Sequence, residues 1–107
     1  MKIIYNKILP FTGFKAINLF GILFVRKNAY ISEYDINHEQ IHSAQMKEML
    51  YIFFYIWYLV EYLIKVFKYK STDKAYHYLS FELEAYNNMH DKNYLKNRIK
   101  FKWVKYY

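Results

Sequence analysis

The chain contains no cysteine, one proline and two glycines in 107 residues. Without cysteine there is no disulfide framework and no thiolate for a metal, so any bound metal must be held by His, Asp or Glu. Pro10, Gly13 and Gly21 all lie in the first fifth of the chain, and from residue 22 onward there is no helix breaker. That asymmetry predicts a short β region followed by helices. Acidic residues are also few: 9 Asp and Glu against 16 Lys and Arg leave a formal net charge of +7. The basic surplus is spread along the chain without a tight cluster or a nucleic-acid motif, so no nucleic acid partner is expected; AT-rich codons alone produce such a composition. Residues 1–9 have too short an apolar run for a signal peptide.

What is abundant is apolar and aromatic. Hydrophobic residues make up 55% and aromatic residues 23%, with 14 Tyr and 9 Phe, which excludes a disordered chain and predicts a core of rings whose hydroxyls need partners. The length fits one small domain, residues 1–107. Residues 2–6, 15–19 and 22–26 are β-branched or aromatic runs with turn signals between them, and predict a short antiparallel meander. Ser32 is the expected N-cap of a first helix, with Glu33 and Asp35 at its positive end. Ser71-Thr72-Asp73 is a turn and fresh cap for a second helix reaching about Met89. Asp91 is expected to cap a third, basic helix carrying Leu95, Ile99, Phe101 and Trp103. The class is α+β, mostly helical.

Residues 49–67 are almost wholly apolar or aromatic and near bilayer-span length, interrupted by Glu61 and Lys65. They read as a buried helix of a cytoplasmic or membrane-peripheral protein, with contact to a membrane surface through this helix, or alternatively as a single membrane-embedded segment.

His38-Glu39-Gln40-Ile41-His42 spells HExxH. Residues four apart stack on one helix face, so His38 and His42 can aim two imidazoles at one metal ion, and Glu39 can reach a water beside it. The plain alternative is a surface helix with two histidines. A third ligand must leave one position open. One zinc-protease class places a Gly three residues and a His six residues after the second His; here Gln45 and Glu48 stand there, which excludes that class.

Helical phase brings a carboxylate forward from Phe81-Glu82-Leu83-Glu84-Ala85-Tyr86. At 100° per residue Glu82 falls among Ala75, Tyr78, Leu79, Ala85, Tyr86 and Met89, whereas Glu84 falls among His77, Ser80, Asn87 and Asn88. A carboxylate among apolar side chains needs a cation or a hydrogen-bond donor. Glu82 thus reads as the third ligand, or as the partner of a lysine or tyrosine, and Glu84 as a solvated surface residue. On the first helix His38, Glu39 and His42 share a face with Met46, Met49 and Phe53, opposite Asn37, Gln40, Ala44, Lys47 and Glu48. His77 and His90 fit no ligand spacing and are expected on the surface, and Trp57 and Trp103 in packing. Tyr30, Tyr34 and Tyr86 are candidate donors to an oxyanion.

HExxH followed on a second helix by E-x-x-A-D resembles the gluzincin superfamily of zinc metallopeptidases. Glu82-Leu83-Glu84-Ala85 matches E-x-x-A, with Tyr86 in the Asp position. More closely, residues 38–63 and 80–86 resemble a family of short, uncharacterised bacterial proteins described as metallopeptidases. The resemblance implies Zn²⁺ bound by His38, His42 and Glu82, Glu39 as general base, a peptide or protein substrate, and a substrate-aligning edge strand at residues 20–26. Tyr86 leaves the partner that orients a ligand histidine to be found elsewhere. A zinc-stabilised binding or scaffold protein without turnover, possible membrane association included, is the rival reading, since the chain is short of material for substrate subsites.

Overall fold

The computed structural model describes residues 1–8 and 15–107; the turn expected at residues 10–13 falls outside them. Three strands, β1 (Lys2–Asn6), β2 (Ala16–Leu19) and β3 (Ile22–Arg26), precede α1 (Glu33–Glu48), α2 (Ile52–Tyr69), α3 (Thr72–His77), α4 (Ser80–Asn88), the single turn α5 (Tyr94–Asn97) and a 3₁₀ turn at Lys102–Tyr106. The α+β, mostly helical class follows.

The sheet is mixed, in the order β1-β3-β2, and not a meander. β2 and β3 form the expected antiparallel hairpin, but β1 lies parallel to β3. The central place goes to the strand with most to hide: Leu23 and Val25 of β3 are fully buried. Phe20 and Gly21 join β2 to β3 in two residues with φ of 54° and 89°. Paired positive φ values match the right-handed twist of the strands, and glycine bears one of them freely. The strained Phe20 is held by its neighbours: its ring packs on Tyr51 and Tyr55, and its N–H donates to the Tyr55 hydroxyl. Asn18 of β2 then staples the hairpin to α1, its amide donating to the Glu39 carbonyl at 2.9 Å and to Ser43 Oγ at 3.0 Å.

α1 begins in a capping box. Ser32 Oγ accepts the Asp35 N–H, and the Asp35 carboxylate accepts the Ser32 N–H and a salt bridge from Lys15 at 2.9 Å. With no glycine or proline to end it, α1 stops at Leu50 and Tyr51, which take φ of 56° and 59°, and α2 departs at 110°. Burial offsets the strain: the bend folds Phe54 back onto Met46, Phe81 and Trp103, the apolar core of the helical part. The bend also puts Phe53 on the surface, away from the ligand-bearing face of α1.

The second helix is two helices, because Leu79 is extended. The break is held from α2. The buried Glu61 carboxylate accepts both the Ser80 N–H and its Oγ–H at 2.6 Å, while Lys65 pairs with Glu61 at 2.9 Å and donates to the Tyr78 carbonyl. The two charges that interrupt the aromatic stretch are thus the seat of the α4 N-terminus.

The third, basic helix does not form beyond one turn. Arg98 is extended and Phe101 has φ of 62°, since buried Arg98 and the Phe101 N–H both reach Glu48 of α1. Among the described residues no single helix is long and apolar enough to cross a membrane; only the bent pair α1 and α2 passes by length and composition. Residues 49–67 therefore do not form one continuous span.

Candidate metal centre

α1 presents His38 and His42 one turn apart, and α4 crosses it with Glu82 facing them. The two Nε2 atoms lie 3.1 Å apart, and Glu82 Oε1 is 3.0 Å from His42 Nε2 and 3.3 Å from His38 Nε2. A tetrahedral ion with bonds of about 2.0–2.1 Å requires ligand atoms roughly 3.3 Å apart, so this triangle is already of coordinating size. All three residues are buried, and together they can hold a metal ion.

The partners behind the ligands determine which atoms face the centre. Gln45 Nε2 donates to the Phe81 carbonyl at 3.0 Å and to Glu84 Oε1 at 2.9 Å. Both are pure acceptors, which places the amide oxygen toward His42 Nδ1, 2.8 Å away. His42 therefore keeps a proton on Nδ1 and leaves Nε2 as the atom that faces the centre, where a metal would take the place of any second proton. Tyr58 donates to Glu82 Oε2 at 2.8 Å, leaving Oε1 for the ion. Tyr86 does not replace the missing Asp: its ring packs on His38 at 4.4 Å, and its hydroxyl bonds to Tyr76. Among the described residues, buried His38 Nδ1 has no hydrogen-bond partner.

No family model, curated protein or solved structure matches the chain. Its chemistry must be read from the site itself.

Burial pushes the His42 pKa down, but the Glu82 carboxylate pushes it further up, to about 9. Burial would raise the Glu82 pKa, yet His42 and His38 hold it well below the usual carboxylate range. Without a metal the cluster is held by a proton, for which a divalent cation competes. Glu39 is partly buried, and burial raises its pKa against the pull of His42 and His38. It lines, with the three ligands, a cavity of about 330 Å³. The other walls are largely apolar, from Ile17 and Leu19 of β2, Met46, Phe54 and Tyr55, with the Tyr76 ring at one side.

Glu84 is not a solvated residue: it is fully buried. α4 lies between α1 and the C-terminal segment, so its second arc meets Arg98 and Tyr94 instead of water. Arg98 donates to both Glu84 oxygens and, through Nη1 and Nη2, to Glu48 at 3.0 and 2.8 Å. Sequence reasoning missed Gln45, Tyr58, Glu48 and Arg98. The available signal was that Arg98 is one of two arginines in a lysine-rich chain, and the planar fork is the cation suited to two carboxylates.

The remaining candidates fall away from the centre. His77 is exposed beside Asp73, and exposed His90 lies tilted against the Tyr34 ring, centroids 4.6 Å apart. Tyr30 is exposed, and neither it nor Tyr34 lines the cavity. Trp103 is buried against Phe81, with half-exposed Trp57 beside it.

The edge-strand expectation needs correction. β3, within residues 20–26, is paired on both sides and has no free edge. The edge that borders the cavity is β2.

Proposed function

We propose that the protein is a zinc-dependent metallopeptidase. The observation that carries this reading is Glu39: a partly buried carboxyl of raised pKa lining the same cavity as two imidazoles and a carboxylate set at coordinating distances. An oxygen and nitrogen donor set without thiolate, buried and limited to three protein ligands, suits Zn²⁺ with a position open. Zinc held there supplies a Lewis acid and an acidified water.

The chain's own groups do the rest. Glu39 takes the proton of the attacking water and delivers it to the leaving amine. Tyr76, which lines the cavity as Tyr30 and Tyr34 do not, is the donor for the carbonyl oxygen as it gains charge. The β2 edge pairs with the substrate backbone, and the apolar wall of Ile17, Leu19, Met46 and Phe54 accepts an apolar side chain next to the cleaved bond.

The rival is a purely structural centre joining α1 to α4, and the bridging position of Glu82 favours it. The two separate in one experiment. Elemental analysis and a peptide-library digest are run on the parent, Glu39→Gln, His38→Ala and Glu82→Ala. A peptidase gives stoichiometric zinc and cleavage in the parent, zinc without cleavage in Glu39→Gln, and neither in the ligand variants. Zinc in the parent with no cleavage of any peptide leaves the structural centre; cleavage unchanged in Glu39→Gln removes Glu39 as the base.

A further inference from the structure

α2 is amphipathic in the reverse sense of a helix on the surface of a protein in water. Two of its three charges, Glu61 and Lys65, point inward and pair with each other, and the third, Lys68, stands in its last turn. Its outward side, by contrast, is an uninterrupted apolar stripe: Ile52, Phe53, Ile56, Trp57, Leu59, Val60, Leu63, Ile64 and Phe67, each 44–81% exposed. The stripe is about 23 Å long at 1.5 Å per residue. Its area is on the order of 800 Å², where the largest apolar patch on a monomer is usually ~300–600 Å². Among the described residues nothing covers it.

We infer that this face docks on an anionic lipid surface, with α2 lying in the plane of the headgroups. Three observations select that occupant. The chain carries a net charge of +7, and exposed Lys68 and Lys70 stand at the carboxyl end of α2, while Tyr107 meets Trp57 at the border of the stripe. A second copy laid face to face would set these lysines against each other or against the acid-free first turn of its own α2, whereas anionic headgroups neutralise them. Trp57 and Tyr107 at that border are the residue types that settle at a membrane interface. Finally, the stripe is the outward side of a single helix, a shape that lies flat along a headgroup layer. The 18-residue α2 has its other face against α1, α3 and α4, so it lies on the bilayer and does not cross it.

The test is flotation of the full chain with vesicles of phosphatidylcholine and phosphatidylglycerol, against vesicles of phosphatidylcholine alone, with tryptophan emission recorded in parallel. Trp103 is buried, so an emission shift reports on Trp57. The expected result is flotation with the anionic vesicles only, a blue shift on binding, and release by salt. Ile56→Ser with Leu63→Ser should weaken binding more than about tenfold at unchanged circular dichroism. Lys68→Gln and Lys70→Gln, which leave every apolar side chain of the stripe in place, should each weaken it about fivefold. Failure to float with either vesicle overturns the inference. So does equal binding to phosphatidylcholine alone, or a solution dimer that the serine pair dissociates. None of these readings depends on cleavage or on zinc, so this inference fails or stands apart from the peptidase proposal.

Discussion

Gln45 Oε1 accepts the Nδ1–H of His42 at 2.8 Å, and the amide that does so is held from its other end by Glu84. His42 thus has an orienting partner without an acidic residue at position 86. The orienting group comes from α1 itself, three residues past the histidine it serves, where one helical turn brings it alongside.

If Gln45 sets the His42 tautomer, Gln45→Met should lower metal affinity by roughly ten- to a hundredfold with the fold retained. Chelator competition followed at a fixed pH measures this. Affinity equal to the parent's would mean that His42 needs no such partner.

Arg98 carries a separate prediction about stability. It lies between two buried carboxylates, and Arg98→Met strands both without a cation, at a cost of about 3–5 kcal/mol. Replacing the three together, Arg98→Met with Glu48→Gln and Glu84→Gln, should recover a large part of that, because the loss comes from uncompensated charge. Denaturant midpoints for the single and triple variants decide it, and a triple variant no better than the single one would refute the charge argument. Arg98→Lys should not rescue, since a lysine cannot fork to two carboxylates.

Asp35 links α1 to pH. Burial raises its pKa, but Lys15 and the bonds from Ser32 outweigh that and hold it below the ordinary 3.8. A carboxyl whose pKa is lower folded than unfolded stabilises above the unfolded value, and that contribution drains away as acid protonates it. The stability gap between the parent and Asp35→Asn, about 0.5–1 kcal/mol near neutrality, should therefore close as pH falls below about 4. Urea unfolding across that range tests the sign; a gap that widens in acid contradicts it.

Local signals were legible where one element decides its own conformation. Ser32 capped α1, Gly21 marked the hairpin, and the one-turn spacing of His38 and His42 put both imidazoles at one point. Helical phase also picked out Glu82, which does lie against the two imidazoles. It misjudged Glu84 because phase tells which way a side chain points and not what stands there, and the C-terminal segment stands there. The break at Leu50 and Tyr51 left no trace for the same reason: neither residue favours positive φ, and only the packing of Phe54 on Met46 and Phe81 holds them in it. The parallel pairing of β1 likewise depends on which strand buries most, a property of the finished sheet.

The chain of contacts from His42 through Gln45 and Glu84 to Arg98 runs from the middle of the sequence nearly to its end. During synthesis both imidazoles leave the ribosome more than fifty residues before the guanidinium that steadies this chain of contacts. A nascent chain therefore displays its two histidines long before the contacts that steady His42 can form.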